Sequence, residues 1–600
     1  MQAGTQPDTA PANDRLVTRL LQGLTAALAA MLLASGSMPA QAQPAPAVSP
    51  PTAVPTPPQV PRSSDIAPPA RSPEAAGTPA LTEPPPPPRE LGKPEDDVKV
   101  DVTRYIVDDS APPALRKAMP ALTAAYVGPA RSFEDLVNAA ADVTRYLQRE
   151  LGYYLGYAYL PEQDPVAGQI RIAIMEGRLD RVVLNWVDGL PVERKVVEKY
   201  LARLKPGSIL QVRDVERVIF LVNDLRGIST TFEVRPGRYR GTAQIVVTPS
   251  ADKTLTGRLD ADLNGNKAVG RLRLSVLAQL HSLLGAGDGL TATALTSHTG
   301  NLNFGLVSYT LPVGSDGLKL GTALSGVRYQ LDKTLFPADL NGTAFTANAY
   351  ALYPLIRSRN LNLFNLLSLD SKHYTDRQGI ANNSTRKGVN LLSLGASGDF
   401  RDSLLGGGVN TYEVTAAFGR VTYPDGRPGG LDDAATFTKL GYGYTRLQDI
   451  LTGRLLGYVS LRGQYTRRNL DSTEQFRLGG SDGLRGFSGG EGTGDLGTIL
   501  TTELRLLPLE DWVGRNARDM VFSVFSDVGV VRIRAQAPSS TSQTTRNVDQ
   551  FSDVGLGLAW VRPNEFALRA SLARPMSGTA KNTTETQGTH FYLSATYPFN

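Results

Sequence analysis

From Leu255 onward the chain alternates between apolar and polar residues, and no helical period interrupts that pattern for long. Leu255, Gly257, Leu259, Ala261 and Leu263 alternate with Thr256, Arg258, Asp260 and Asp262, so an extended chain has one apolar face and one charged face. The pattern returns in Leu272, Leu274, Val276, Ala278 and Leu280, in Leu455, Gly457, Val459 and Leu461, and in Phe566, Leu568, Ala570 and Leu572. The last segment places Phe591, Leu593, Ala595, Tyr597 and Phe599 on one face, and Asn264-Gly265 predicts a hairpin turn with positive φ. A soluble sandwich or a solenoid could share this alternation. A closed transmembrane β-barrel fits better, because half of each strand then faces lipid and closure gives every backbone group a partner. Dividing about 345 residues by roughly 20–24 for each ~10-residue strand and its connection gives about 14–17 antiparallel strands, and bacterial barrels take even numbers.

The remaining sequence agrees with a membrane barrel reached by export. Mean hydropathy is −0.18 with 41% hydrophobic residues, too low for a helical membrane protein but suited to half-apolar strands. Arg15 and Arg19 precede an apolar run over residues 20–34, followed by Ala40-Gln41-Ala42; residues 1–42 read as a signal peptide. The run is shorter than the ~20 residues that span a bilayer as a helix. Residues 43–97 hold 18 prolines, five of them consecutive at 84–88, and are predicted to form an extended, disordered linker. There is no cysteine, which excludes disulfides, thiol catalysis and cysteine metal sites. A net charge of +5 over 600 residues is too dilute for a nucleic-acid footprint, so no nucleic-acid partner is expected.

Between linker and barrel the composition becomes that of small α+β modules. Residues 98–107 alternate like a strand, 113–125 suit a helix, and Ser132 with Asp135 marks a second helix start. That helix is predicted to bury Phe133, Leu136, Val137, Ala140, Val143 and Leu147 and to stop at Gly152. Short strands are expected at 157–160 and 169–175. Residues 178–250 repeat the order β-α-α-β-β, with Val212, Val215, Ile219 and Val222 on the second helix, so two tandem copies are expected at 98–177 and 178–250, ahead of a barrel at 251–600.

Motifs then sharpen the reading. Gly152-Tyr153, Leu160-Pro161, Gln163 and Glu176-Gly177 stand in the order of a first POTRA domain, and Asn223-Asp224-Leu225-Arg226-Gly227 with Gly241 resembles a second. Tyr309 to Gly314 and Tyr353 to Arg357 resemble early- and mid-barrel motifs of the same group. Leu484-Arg485-Gly486-Phe487 matches the tip of a long sixth extracellular loop, and Phe525, Asp527 and Gly529 match the FxDxG strand that receives it. Over residues 98–600 the chain resembles the TpsB (ShlB/FhaC-type) two-partner-secretion transporters. The resemblance implies sixteen strands, a location in the outer membrane with periplasmic POTRA domains, and export of a TpsA-like adhesin or haemolysin. It also implies outer-membrane lipid around the barrel and the outer-membrane assembly machinery as the agent of insertion. A barrel insertase of the same superfamily is the alternative, but usually carries more POTRA domains; a passive porin needs none.

Arginine presents a planar fork of donors and stays protonated, so Arg485 can lock bidentately onto Asp527. In a water-filled lumen such a pair contributes roughly 1 kcal/mol unless packing excludes water. No phosphate-binding loop occurs, and His281, His298, His373 and His590 are scattered without ligand spacing. No enzymatic activity, catalytic residue, cofactor or metal is therefore assigned. If residues 43–97 act as a spacer, a Gly/Ser stretch of equal length leaves client export near the native level; a large loss, measured by immunoblot of the medium, marks a plug or partner site instead.

Overall fold

A computed structural model describes residues 99–164, 167–380, 382–428, 433–451, 453–536, 547–578 and 588–599. The predicted signal peptide and Pro-rich linker lie outside the described residues. Among the described residues, no helix is long and apolar enough to cross a membrane.

The first α+β segment runs β1 (Lys99–Val102), β2 (Arg104–Ile106), α1 (Pro113–Thr123), β3 (Gly128–Ser132), α2 (Phe133–Arg149), β4 (Tyr157–Tyr159), β5 (Gln169–Arg171) and β6 (Ala173–Met175). It departs from the predicted β-α-α-β-β order in two ways. An extra strand, β3, pairs with β1 between the helices, and both predicted long strands break where they change partners. At Thr103 the backbone N–H and the hydroxyl donate to the Gly168 and Ala167 carbonyls at 2.8 and 3.0 Å, turning the chain from β3 toward β5. Ile172 is fully buried and donates its N–H to the Ile106 carbonyl at 2.9 Å, which separates β5 from β6. Helix α2 begins at a reciprocal capping box between Ser132 and Asp135. Its buried face is Leu136, Ala139, Ala140, Val143 and Leu147; Val137, predicted inside, is 43% exposed because it lies one residue, about 100° of turn, beyond Leu136, and Phe133 is only half-buried.

The second segment comprises β7 (Arg178–Leu184), α3 (Arg194–Leu201), α4 (Val212–Asn223), β8 (Ile228–Pro236) and β9 (Thr242–Ala251). Its sheet has the order β7-β9-β8, parallel then antiparallel. Val215, Ile219 and Val222 of α4 pack on Phe232, Ile245 and Val247 in its core.

The third part is a closed barrel of sixteen antiparallel strands, β10 (Leu255–Asp262) through β20 (Leu455–Thr466) and β23 (Leu496–Leu506) through β27 (His590–Phe599). It closes where β27 pairs with β10, from Gly257 opposite Phe599 to Asp262 opposite Ser594. Alternation sets the faces: Leu255 and Leu259 are 42% and 50% exposed on the outside, while Asp260 points inward and accepts from Thr596 Oγ1 at 2.6 Å. The predicted Asn264-Gly265 hairpin is not formed. Neither residue has positive φ, and residues 263–272 make a longer connection. Gly265 is needed for closeness instead, since a Cβ there would lie 2.2 Å from the Gly270 carbonyl oxygen.

The second α+β segment is fastened to one end of the barrel. Arg357, at the end of β15 (Leu340–Arg357), forks onto Asp224 at 2.9 and 3.0 Å and stacks over Phe220, while Arg217 donates to the Pro354 and Leu355 carbonyls. The backbone N–H groups of Glu193 and Arg226 donate to the Gly285 and Gly287 carbonyls in the turn between β11 (Arg273–His281) and β12 (Gly289–Ser297). Leu259 lies mid-strand on the outer face, so Leu259→Arg is expected to destabilise the barrel by about 2–4 kcal/mol in urea titrations in lipid vesicles. A loss below about 0.5 kcal/mol would contradict a lipid-facing position.

Candidate functional site in the barrel lumen

The long connection after β20 leaves the barrel at the end opposite the α+β segments and folds back inside it. A short ladder, β21 (Phe476–Arg477) with β22 (Thr493–Gly494), closes the base of the connection and carries its tip inward. Leu484 and Phe487 of the tip are buried with Phe476, Leu478, Ile499, Val531 and Phe551, and the Phe487 and Phe551 rings meet edge to face at 5.0 Å. Apolar contacts therefore exclude water from one side of the tip before any charge is considered.

Arg485 then meets the wall. Its Nε and Nη2 donate to the two carboxylate oxygens of Asp527 at 2.8 and 3.0 Å, and Nη1 donates to Glu503 at 2.8 Å. Thr501 Oγ1 donates to Asp527 at 2.7 Å, and the Arg485 guanidinium lies 3.3 Å above the centre of the Phe525 ring. Period-two geometry explains the receiving motif. Phe525, Asp527 and Gly529 of β24 (Met520–Arg532) all point inward, presenting a stacking face, an anion and a gap in register. The gap is filled by Leu484, whose Cδ1 would stand 2.7 Å from a Cβ at position 529. Gly486 is constrained in the same manner: a Cβ there would lie 2.5 Å from the Cβ of Asp553. The structure thus brings Leu484, Arg485, Gly486, Phe487, Phe525, Asp527 and Gly529 together.

The pair meets the exception for packing that excludes water. Asp527 is fully buried and the Arg485 side chain is only 15% exposed, so packing has removed the solvent that would weaken the contact. Truncating the arginine strands the buried Asp527 carboxylate, while Glu503 keeps Arg505 at 2.8 Å, so the loss is about 3–5 kcal/mol rather than 1.

Several participants were not singled out from sequence. Asp553, opposite Asp527 on β25 (Val548–Arg562), accepts the Gly486 N–H at 2.8 Å. Nearer the start of the loop, Glu474 accepts from Lys372 and Lys439 at 2.9 and 2.8 Å, and Asp471 from Lys387 at 2.9 Å. These lysines project inward from three wall strands, so the loop is held at both its ascending arm and its tip. Charged residues at inward positions were visible in the alternation; their partners lie 35–102 residues away and could not be matched by spacing.

The POTRA motif residues lie elsewhere, in and around the joint between the two α+β segments. Tyr153 bridges to Gln211, the Gly152 carbonyl accepts from Val212, and Gly177 accepts the Leu210 N–H at 3.0 Å. Glu176 accepts from Arg178 at 2.6 Å. Leu160 is in the core, and Gln163 holds the Pro161 carbonyl and both backbone groups of Arg171.

The profile of the haemolysin secretion/activation proteins ShlB/FhaC/HecB matches residues 241–547, and that of the ShlB-type POTRA domain matches residues 102–177. The chain belongs to the ShlB/FhaC/HecB family. It is an outer-membrane β-barrel transporter with POTRA domains, a TpsB translocator of a partner exoprotein. Relatives include the heme/hemopexin transporter protein HuxB of Haemophilus influenzae, 24% identical over 78% of this chain and 82% of that protein. Another is the outer membrane transporter CdiB of Dickeya dadantii, 28% identical over 64% and 68%. In fold, the family architecture is shared with CdiB from Escherichia coli, which superposes with a TM-score of 0.64 at 19% identity over 85% of this chain and 93% of that one. BamA from Haemophilus ducreyi lacking POTRA domains 1–3 superposes with a TM-score of 0.50 at 14% identity, over 84% and 100%. Family members are transporters, not enzymes.

The loop anchor has a definite acid limit. Burial alone drives the Glu474 carboxyl up, but Lys372 and Lys439 outweigh it and hold it down at about 2. Its contribution is complete above about pH 4.3, the unfolded glutamate value, and is lost as pH falls toward the folded one. A spin label on Ser481→Cys, the sole thiol of the chain, should stay immobilised from neutral pH to about pH 5 and loosen between about pH 4 and 2. Loosening near neutrality would contradict this anchor.

Proposed function

We propose that the two POTRA domains receive an unfolded TpsA-type client, an adhesin or haemolysin-like protein, and pass it to a barrel whose lumen is held shut by the loop tip. The proposed division is a removed signal at 1–42, a linker at 43–97, POTRA domains at 98–177 and 178–250, and the barrel at 251–600. The observation that carries this reading is the lock of Arg485 on Asp527 and Glu503, inside a barrel fastened to its second POTRA domain by Arg357 and Asp224. A client threading the lumen must displace the tip. The lock is made of ionic and apolar contacts that can re-form, which suits a gate.

In this reading β8 offers an edge for a client strand, since among the described residues it pairs only with β9. Translocation draws on folding of the client outside, and lipid surrounds a barrel inserted by the assembly machinery. An insertase shares the barrel fold, but the two α+β segments before the barrel among the described residues favour the exporter.

Arg485→Ala should lower secretion of the client at least about tenfold with the barrel still inserted, since a tip weakened by about 3–5 kcal/mol no longer returns to hold the lumen wall in register between clients. Deleting residues 98–249 should abolish secretion while heat-modifiable barrel remains in the membrane. Native secretion from the first variant would refute the gate; native secretion from the second would refute the receptor role.

A further inference from the structure

The outer face of the barrel carries an open groove of about 1270 Å³ that crosses strands β14 (Leu318–Gln330) to β20. Its floor is a cross-strand row of small and polar side chains, Ala347, Ser371 and Asn390, continuing to Arg420. Its ridge is the neighbouring row, in which Leu369, Leu392 and Phe418 are 55%, 39% and 46% exposed and so face outward. Bulky side chains beside small ones make a trough on a surface that would otherwise be convex.

Three features of the groove are unusual for a lipid-facing wall. Asn390 is an exposed amide facing outward, directly opposite Arg420 and two residues nearer the extracellular end of its strand than Leu392. Arg420, Arg467 and Arg468 line the rim, are exposed, and have no carboxylate partner among the described residues. Arg467 is held only by its Nε donating to the Tyr465 hydroxyl at 3.4 Å. These arginines lie at the end of the barrel away from the POTRA domains, which is the extracellular side. Cations beside the apolar row of Leu369, Leu392 and Phe418 match a molecule with acyl chains along that row and negative charge at its head.

We propose that this groove seats a phosphate-bearing acyl lipid of the outer leaflet, with its chains along Leu392 and Phe418, its polar linkage at Asn390, and its phosphate at Arg420, Arg467 and Arg468. The inference rests on the outer-membrane location and is independent of the loop gate. Bidentate donation by arginine suits phosphate oxygens, and the trough supplies the apolar contact that free phosphate would not use.

The test uses full-length protein in phosphatidylcholine nanodiscs containing lipid A, read by native mass spectrometry after release. The native protein should retain lipid A in preference to phosphatidylcholine. R420Q/R467Q/R468Q should lower that retention at least about tenfold. A347W/A349W, which fills the trough and leaves the charges in place, should lower it as well; it also decides the matter if the arginine variant does not fold, as judged by heat-modifiable migration. Equal retention by the native protein and the variants would overturn the site. So would loss in the arginine variant alone, or displacement of the lipid by inorganic phosphate, because either result reduces the groove to a charged rim.

Discussion

Hydrocarbon offers no hydrogen bonds, so a sheet that crosses it must leave no edge unpaired. The pairing of β27 with β10 meets that demand, and much of the remaining architecture follows from it. Once sixteen strands are closed, the inner faces line a lumen wide enough to need filling, and the inward half of each alternating strand becomes a polar wall. The long loop fills part of that space. It finds there a low-dielectric setting in which a few charges hold it firmly.

The same chemistry recurs at the periplasmic end of the barrel and in its lumen. At the periplasmic end an arginine fork grips Asp224 over the Phe220 ring; in the lumen another grips Asp527 over the Phe525 ring. An arginine between an aromatic face and a carboxylate is oriented in two directions at once, which fixes a rigid body with few contacts. The luminal fork also shares its arginine with Glu503, and the ascending arm of the loop adds Lys372, Lys387 and Lys439. The loop is therefore held by a distributed set of contacts, each reversible, instead of one covalent or metal clasp.

The barrel was legible because period two repeats through hundreds of residues and each face has one solvent. The tip and its receiving strand were legible as motifs, and the inward parity of Phe525, Asp527 and Gly529 gives their spacing a physical basis. Predictions failed where a residue obeys a distant contact over local pattern. Thr103 and Ile172 break strands to change partners, Val137 faces solvent despite its apolar side chain, and Gly265 serves a close approach in place of a turn.

The sequence by itself determined the barrel, the two small modules before it, and the arginine and aspartate that meet in the lumen, because these depend on periodicity and short motifs. Tertiary structure alone decided that the pair is dry, that Asp553 holds Gly486, that three wall lysines grip Asp471 and Glu474, and that Arg357 binds Asp224. Each of these joins residues far apart in the chain, and burial and partner choice emerge only when the barrel closes and brings distant strands within hydrogen-bonding reach.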